Sequence, residues 1–151
     1  MSWETAFSAA NIMAMIAWIG LIFLPRWPAL LAGCLYAGVG LLSLAYTVLI
    51  IGFLTGGIDP GPGNGGEASF SSIEGVKAAL STDGGLTMGW IHYLAFDLFV
   101  GIWIARDADA KGFSRILQAP ILFFTFMAGP VGLFLWLVIR EKRARESGRF
   151  S

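Results

Sequence analysis

Charge is what this sequence has least of. Asp, Glu, Lys and Arg make up 13% of its 151 residues, about half of the roughly 25% usual in a soluble domain. Meanwhile 56% of the residues are hydrophobic and the mean hydropathy is +0.72. A chain so poor in charge cannot cover itself in water, and its composition excludes disorder, collagen and coiled coil. The ten Lys and Arg balance the ten Asp and Glu, so no global field draws nucleic acid, and none is expected as a partner. Cys34 is the only cysteine, which excludes a disulfide-stapled secreted domain. With one histidine, His92, and no H-x-x-x-H or C-x-x-C spacing, no metal centre is expected. A Walker loop, a nucleophile elbow and a haem attachment motif are missing too.

What is there is a succession of long apolar runs. Residues 5–24, 29–54, 86–105 and 116–139 carry no Lys, Arg or Glu, and Asp97 is their one acidic residue. At 1.5 Å per residue, 20 residues reach roughly 30 Å, the thickness of the hydrocarbon core. The first run is expected to stay as a helix rather than be cleaved as a signal peptide, since Glu4 is the only charge before it and Pro25-Arg26-Trp27-Pro28 is no cleavage site. The sequence therefore predicts an all-α membrane protein: one domain over 1–151, with four transmembrane helices and a basic tail over 140–151. Loop 55–85 is Gly/Pro-rich in its first part. In its second, Phe70, Ile73, Val76 and Leu80 fall on one stripe, and Ser71 with Glu74 makes a capping-box pattern. That predicts a short amphipathic helix over 72–81 at the membrane interface, in contact with lipid. Four spans put both termini on one side. With that side cytoplasmic, six basic residues lie inside and four outside, the sense of the positive-inside rule.

Chemistry concentrates in the third run. Asp97 stands near its middle, close to the bilayer midplane, where an ionised carboxylate costs several kcal/mol unless paired, protonated or wetted. Two roles fit it: a proton-handling group, or a hydrogen-bonded lock between helices. His92 lies five residues earlier, about 140° around the helix, so the two do not share a face. Either His92 bonds a backbone carbonyl at the interface, or it acts as a proton donor or ligand contact. It shares a stripe with Phe96, Phe99 and Trp103; Asp97 shares one with Trp90, Tyr93, Gly101 and Ile104. Ala29, Gly33 and Ala37 form a small-residue ridge for close helix packing, and Gly129-Pro130-x-Gly132 predicts a weakened or kinked fourth helix. Twenty-one aromatics suit a flat, long, apolar ligand.

The run from Trp90 to Gly101, with its His92-x-x-x-x-Asp97-Leu98-Phe99 string, resembles the signature of the abscisic acid-deficient-4-like family, whose plant members are linked to neoxanthin synthesis. Asp107 and the Pro120 to Gly132 segment agree with its pattern. Ile102 stands near where that family often carries an arginine. The resemblance implies a carotenoid-related integral membrane protein, either an epoxy-carotenoid isomerase (epoxide to allene, without net redox change) or a component of one. The alternative is a non-catalytic pigment-binding or assembly subunit of a larger membrane complex. It implies His92 and Asp97 as catalytic residues and Trp90, Tyr93, Phe96, Phe99, Trp103 and Asp107 as ligand-binding ones. No cofactor is implied beyond the carotenoid as ligand or substrate. Partners would be lipid, carotenoid, and a second copy or a larger assembly. A short chain without a plastid transit peptide leads us to expect a bacterial inner-membrane member.

Overall fold

A computed structural model describes residues 2–24, 26–63 and 66–147, and the side chains among these as far as Glu141. Of the basic tail, only Arg140 and Glu141 therefore lie among the described side chains. The described chain is all helical: α1 (Trp3–Phe23), α2 (Pro28–Thr55), α3 (Ile73–Ala79), α4 (Asp83–Ala110), α5 (Arg115–Met127) and α6 (Gly129–Ser147). Three of these, α1, α2 and α4, are long and apolar enough to cross a membrane. Their outward faces carry large apolar side chains; Ile16, Phe23 and Leu54 are 67%, 75% and 83% exposed. A continuous apolar exterior of that kind has no place in water and suits lipid.

Local chemistry sets the helix ends. The hydroxyls of Ser2, Thr82 and Ser114 accept hydrogen bonds from the N–H groups of Thr5, Gly85 and Leu117 at 3.2, 2.9 and 3.4 Å, which satisfies donors that helix N-termini leave open. The amphipathic segment forms, shorter than its predicted 72–81. Its cap is one residue later than the capping-box pattern indicated: the Ser72 hydroxyl accepts from the Gly75 N–H at 3.1 Å. Its apolar stripe points outward, with Phe70 at 79% and Ile73 at 71% exposure. Helix α2 passes through a π-helical stretch at Cys34–Gly40.

Long helix α4 is the axis of the molecule and packs against α1, α2, α5 and α6. Its core side joins Trp18, Leu21, Leu98, Ile104, Leu122 and Trp136, all essentially fully buried. The ends of the bundle are distinct. At one, Trp3 and Pro60 crowd against Gly84, and the Gly84 N–H donates to the Pro60 carbonyl at 2.9 Å. At the other, Arg115 donates to the Leu24 carbonyl at 3.0 Å. We call these the Trp3 end and the Arg26 end.

The fourth predicted span does not form as one helix. It breaks at Ala128 (φ −157°, ψ 79°), and α5 and α6 turn back on each other as an antiparallel hairpin. A side chain at Gly132 would overlap Thr125, so the glycine lets the two arms touch. Both open ends of the hairpin lie at the Arg26 end. There, Arg140 pairs with Asp107 at 2.7 Å, and the rings of Trp136 and Phe113 are 5.0 Å apart. The reason is length: α5 has 13 residues, roughly 20 Å against a core of roughly 30 Å. Gly129 and Pro130 then restart the chain as the first turn of a new helix, where a proline is at home. Three long helices plus this hairpin replace four spans. Trp3 and Arg140 consequently lie at opposite ends of the bundle, which corrects the placement of both termini on one side.

Candidate functional site

The hairpin tip meets α4 at Asp97. The stripe Leu86, Trp90, Tyr93, Asp97 runs down one face of α4 at helical spacing, and the tip covers only its lower end. Asp97 is 8% exposed. Its carboxylate occupies the place where a side chain on Gly129 would stand, so any residue but glycine there would collide with it. Gly129 is the first residue of α6, and the carboxylate thus faces the N-terminal end of a helix, where backbone N–H groups favour negative charge. One turn earlier, the Tyr93 hydroxyl donates to the Met127 carbonyl at 3.3 Å. It also lies close enough to Asp97 for the two groups to interact. Helix α4 therefore grips the break from both sides, with a donor for the Met127 carbonyl of α5 and a carboxyl group packed against Gly129 of α6.

One atom of this arrangement is left over. Asp97 Oδ2 is buried and has no hydrogen-bond partner. A buried, unpaired carboxylate oxygen is costly, and such groups are rare enough to call for a cause. Above it, towards the Trp3 end, Trp90 stacks on Tyr93 at 5.1 Å and on Phe7 at 5.8 Å, and its indole N–H donates to the Asn11 amide oxygen at 3.0 Å. Trp90 and Leu86 remain 37% and 54% exposed.

His92 is not part of this arrangement. It sits exposed on another face of α4, its ring 5.3 Å from Tyr46 of α2 and 4.6 Å from Phe96. The structure does not bring His92 and Asp97 together, as their angular separation on one helix required. Phe96, Phe99 and Trp103 continue the His92 stripe, at 59%, 52% and 37% exposure. A shallow groove of about 210 Å³ lies beside it, lined by Val39, Ser43, Ala95, Phe96 and Phe99. Asp107 belongs to neither face's open surface. Its oxygens are taken by Lys111 at 2.7 Å, Arg140 at 2.7 and 3.3 Å and the Trp136 indole at 3.0 Å. The Arg140 guanidinium also lies 5.5 Å from the Trp103 ring. Asp107 ties the returning arm of the hairpin to α4.

A second polar cluster went unnoticed in the sequence. Arg26, its side chain 3% exposed, donates to Asp109 at 2.8 Å, to the Ala105 carbonyl at 3.2 Å and to the Gln118 side-chain oxygen. Fully buried Gln118 donates in turn to Asp109 at 3.0 Å and to the Phe113 carbonyl at 2.8 Å. The signal was present: Gln118 is the one amide in the 116–139 run, and Arg26 the one charge in the α1–α2 reversal. The predicted small-residue ridge Ala29, Gly33, Ala37 is exposed and walls an open apolar groove of about 630 Å³ between α1 and α2. Among the described residues no three His, Cys, Asp or Glu side chains come together to hold a metal.

Fold and site together define an all-helical chain with three helices of membrane-crossing length and a helical hairpin that ends against a buried carboxyl group. Its family is identified by comparison: residues 5–136 match the family described as ABA DEFICIENT 4-like, and the chain belongs to it. Comparisons with curated proteins and with solved structures gave no match.

Proposed function

We propose that this protein acts on xanthophylls in a bacterial inner membrane, as an epoxy-carotenoid isomerase or as a component of one. Family membership supports a carotenoid-related role, and the apolar exterior supports a membrane setting. The observation that carries the reading is Asp97, a carboxyl group buried at the hairpin tip with one oxygen unpartnered and an aromatic stripe leading to it.

Isomerisation of an epoxide to an allene moves protons and no net electrons. The C–O bond opens as the oxygen takes a proton. The vinylic carbon beside the ring gives one up, and the electron pair of that C–H bond becomes the second double bond of the allene. Such a reaction wants one group that can both give and take a proton next to the ring. Asp97 is that group in our reading, and Tyr93, one turn away, orients the ring oxygen by turning its hydroxyl from the Met127 carbonyl to it. His92 contacts the polyene from the lipid-facing side and does no chemistry. Membranes from a carotenoid-producing host, fed violaxanthin or a similar epoxide, test the reading. A product of unchanged mass and altered retention supports it; no conversion by the wild-type protein contradicts it.

The exposed His92, Phe96, Phe99, Trp103 stripe with its groove favours a second reading, a non-catalytic pigment-holding subunit of a larger assembly. Such a protein copurifies with pigment in mild detergent and converts none of it.

A further inference from the structure

The bundle is electrically lopsided. Arg26, Arg106, Lys111, Arg115 and Arg140 gather at the Arg26 end, and the four remaining arginines and lysines after Arg140 follow it in the sequence. Among the described side chains the Trp3 end has Lys77 alone as a basic residue, set beside Glu4, Asp59, Glu67, Glu74 and Asp83. This asymmetry exists only because the hairpin returns. A spanning fourth helix would carry Arg140 and the basic residues beyond it to the other end and leave the two ends nearly even.

The hairpin also leaves one face of α4 open over the half nearer the Trp3 end. From Asp97 to Asp83 the helix rises 14 residues, roughly 21 Å. Along that length, Leu86 and Trp90 stay exposed, Phe7 and Asn11 of α1 flank them, and half-exposed Met127 at the tip forms the floor. At the bottom, 92% buried Asp97 holds its unpartnered oxygen. A carboxylate oxygen without a partner calls for a donor such as a hydroxyl, while the stacked Phe7, Trp90 and Tyr93 rings suit a flat, conjugated, apolar body.

We infer that the Arg26 end is cytoplasmic, that α5 and α6 form a re-entrant hairpin from that side, and that the open face of α4 above Asp97 is a slot facing the opposite leaflet. Its occupant is a flat apolar molecule that enters from that leaflet with a hydroxyl-bearing end towards Asp97. Positive-inside bias sets the orientation, and non-spanning helical backbone is tolerated at membrane depth where protein buries it, as α4 buries the tip here. The occupant rests on the xanthophyll reading; the leaflet assignment does not.

Single cysteines decide the leaflet. In a Cys34→Ser background, Glu67→Cys or Glu74→Cys reports on the Trp3 end, and Arg106→Cys and Glu141→Cys on the other. A membrane-impermeant maleimide added to intact cells should label the first pair, and reach Arg106→Cys and Glu141→Cys only after lysis. Glu141→Cys behaving like Glu67→Cys, opposite to Arg106→Cys, would restore a fourth span and overturn the hairpin. The pattern wholly reversed would overturn the choice of leaflet. For the slot, Trp90→Ala should lower retention of violaxanthin at least fivefold with the labelling unchanged, and undiminished retention would overturn it. A wild-type protein that holds no violaxanthin at all contradicts both the proposed function and the occupant, while the labelling still decides the leaflet.

Discussion

A single residue, Asp97, explains why its neighbours are what they are. Gly129 is glycine because the carboxylate occupies its side-chain space. Gly129→Ala should therefore push the hairpin tip off α4 at a cost of about 1–3 kcal/mol, the usual penalty of overpacking; a thermal unfolding curve in detergent measures it, and an unchanged midpoint would show that the contact is loose. Tyr93→Phe deletes one hydrogen bond to the Met127 carbonyl, worth about 1 kcal/mol, and removes the hydroxyl beside Asp97. Conversion should fall by more than the folded yield does. His92→Gln, in contrast, should leave conversion within twofold of wild type, because the ring lies between Tyr46 and Phe96 on another face; a collapse of turnover would return His92 to the chemistry. At this scale much was legible. A lone acid in an apolar run announced Asp97, and helical spacing placed Trp90 and Tyr93 on its stripe and His92 off it. Asp107 was not legible as a tie, because its partners Arg140 and Trp136 are 33 and 29 residues away.

Among the elements, the hairpin decides the architecture, and two ion-paired clusters hold its open end. Asp107 receives four hydrogen bonds from Lys111, Arg140 and Trp136, and Arg26 links α4 to α5 through Asp109 and Gln118. Removing one member of a half-buried, hydrogen-bonded charge set leaves the others without a partner. Asp107→Asn should thus cost about 1–3 kcal/mol and expose α6 to limited proteolysis near Arg140, whereas Arg106→Gln, on an exposed position nearby, should do neither. A protease-resistant Asp107→Asn protein would show that the hairpin is held by its apolar core alone. Sequence led to a span here because 24 residues without a charge match the bilayer in length. Gly129 and Pro130 were visible as a weak point, but whether a weak point bends a helix or reverses it depends on what lies opposite. That is Asp97, 32 residues earlier in the chain. The α1–α2 reversal and the short amphipathic helix α3, being local, were readable from the sequence.

Over the whole molecule, charge, hairpin and site form one arrangement: a basic end, a half-depth hairpin rising from it, and a carboxyl group where the hairpin stops. The long apolar helices could be read at once from composition. Which end carries the charge could not, since the count of basic residues per side turned on whether the last segment crosses. In the proposed function Asp97, at the hairpin tip, handles the proton in a non-redox xanthophyll rearrangement. The direct test compares wild type with Asp97→Asn in membranes fed an epoxy-carotenoid, each normalised to folded, detergent-soluble protein. Asn keeps the shape and an acceptor oxygen but cannot exchange a proton, so conversion should fall at least tenfold at equal folded yield. Equal conversion by both proteins would contradict the claim, and so would a loss of activity matched by an equal loss of folded protein, which would make Asp97 a lock between α4 and α6.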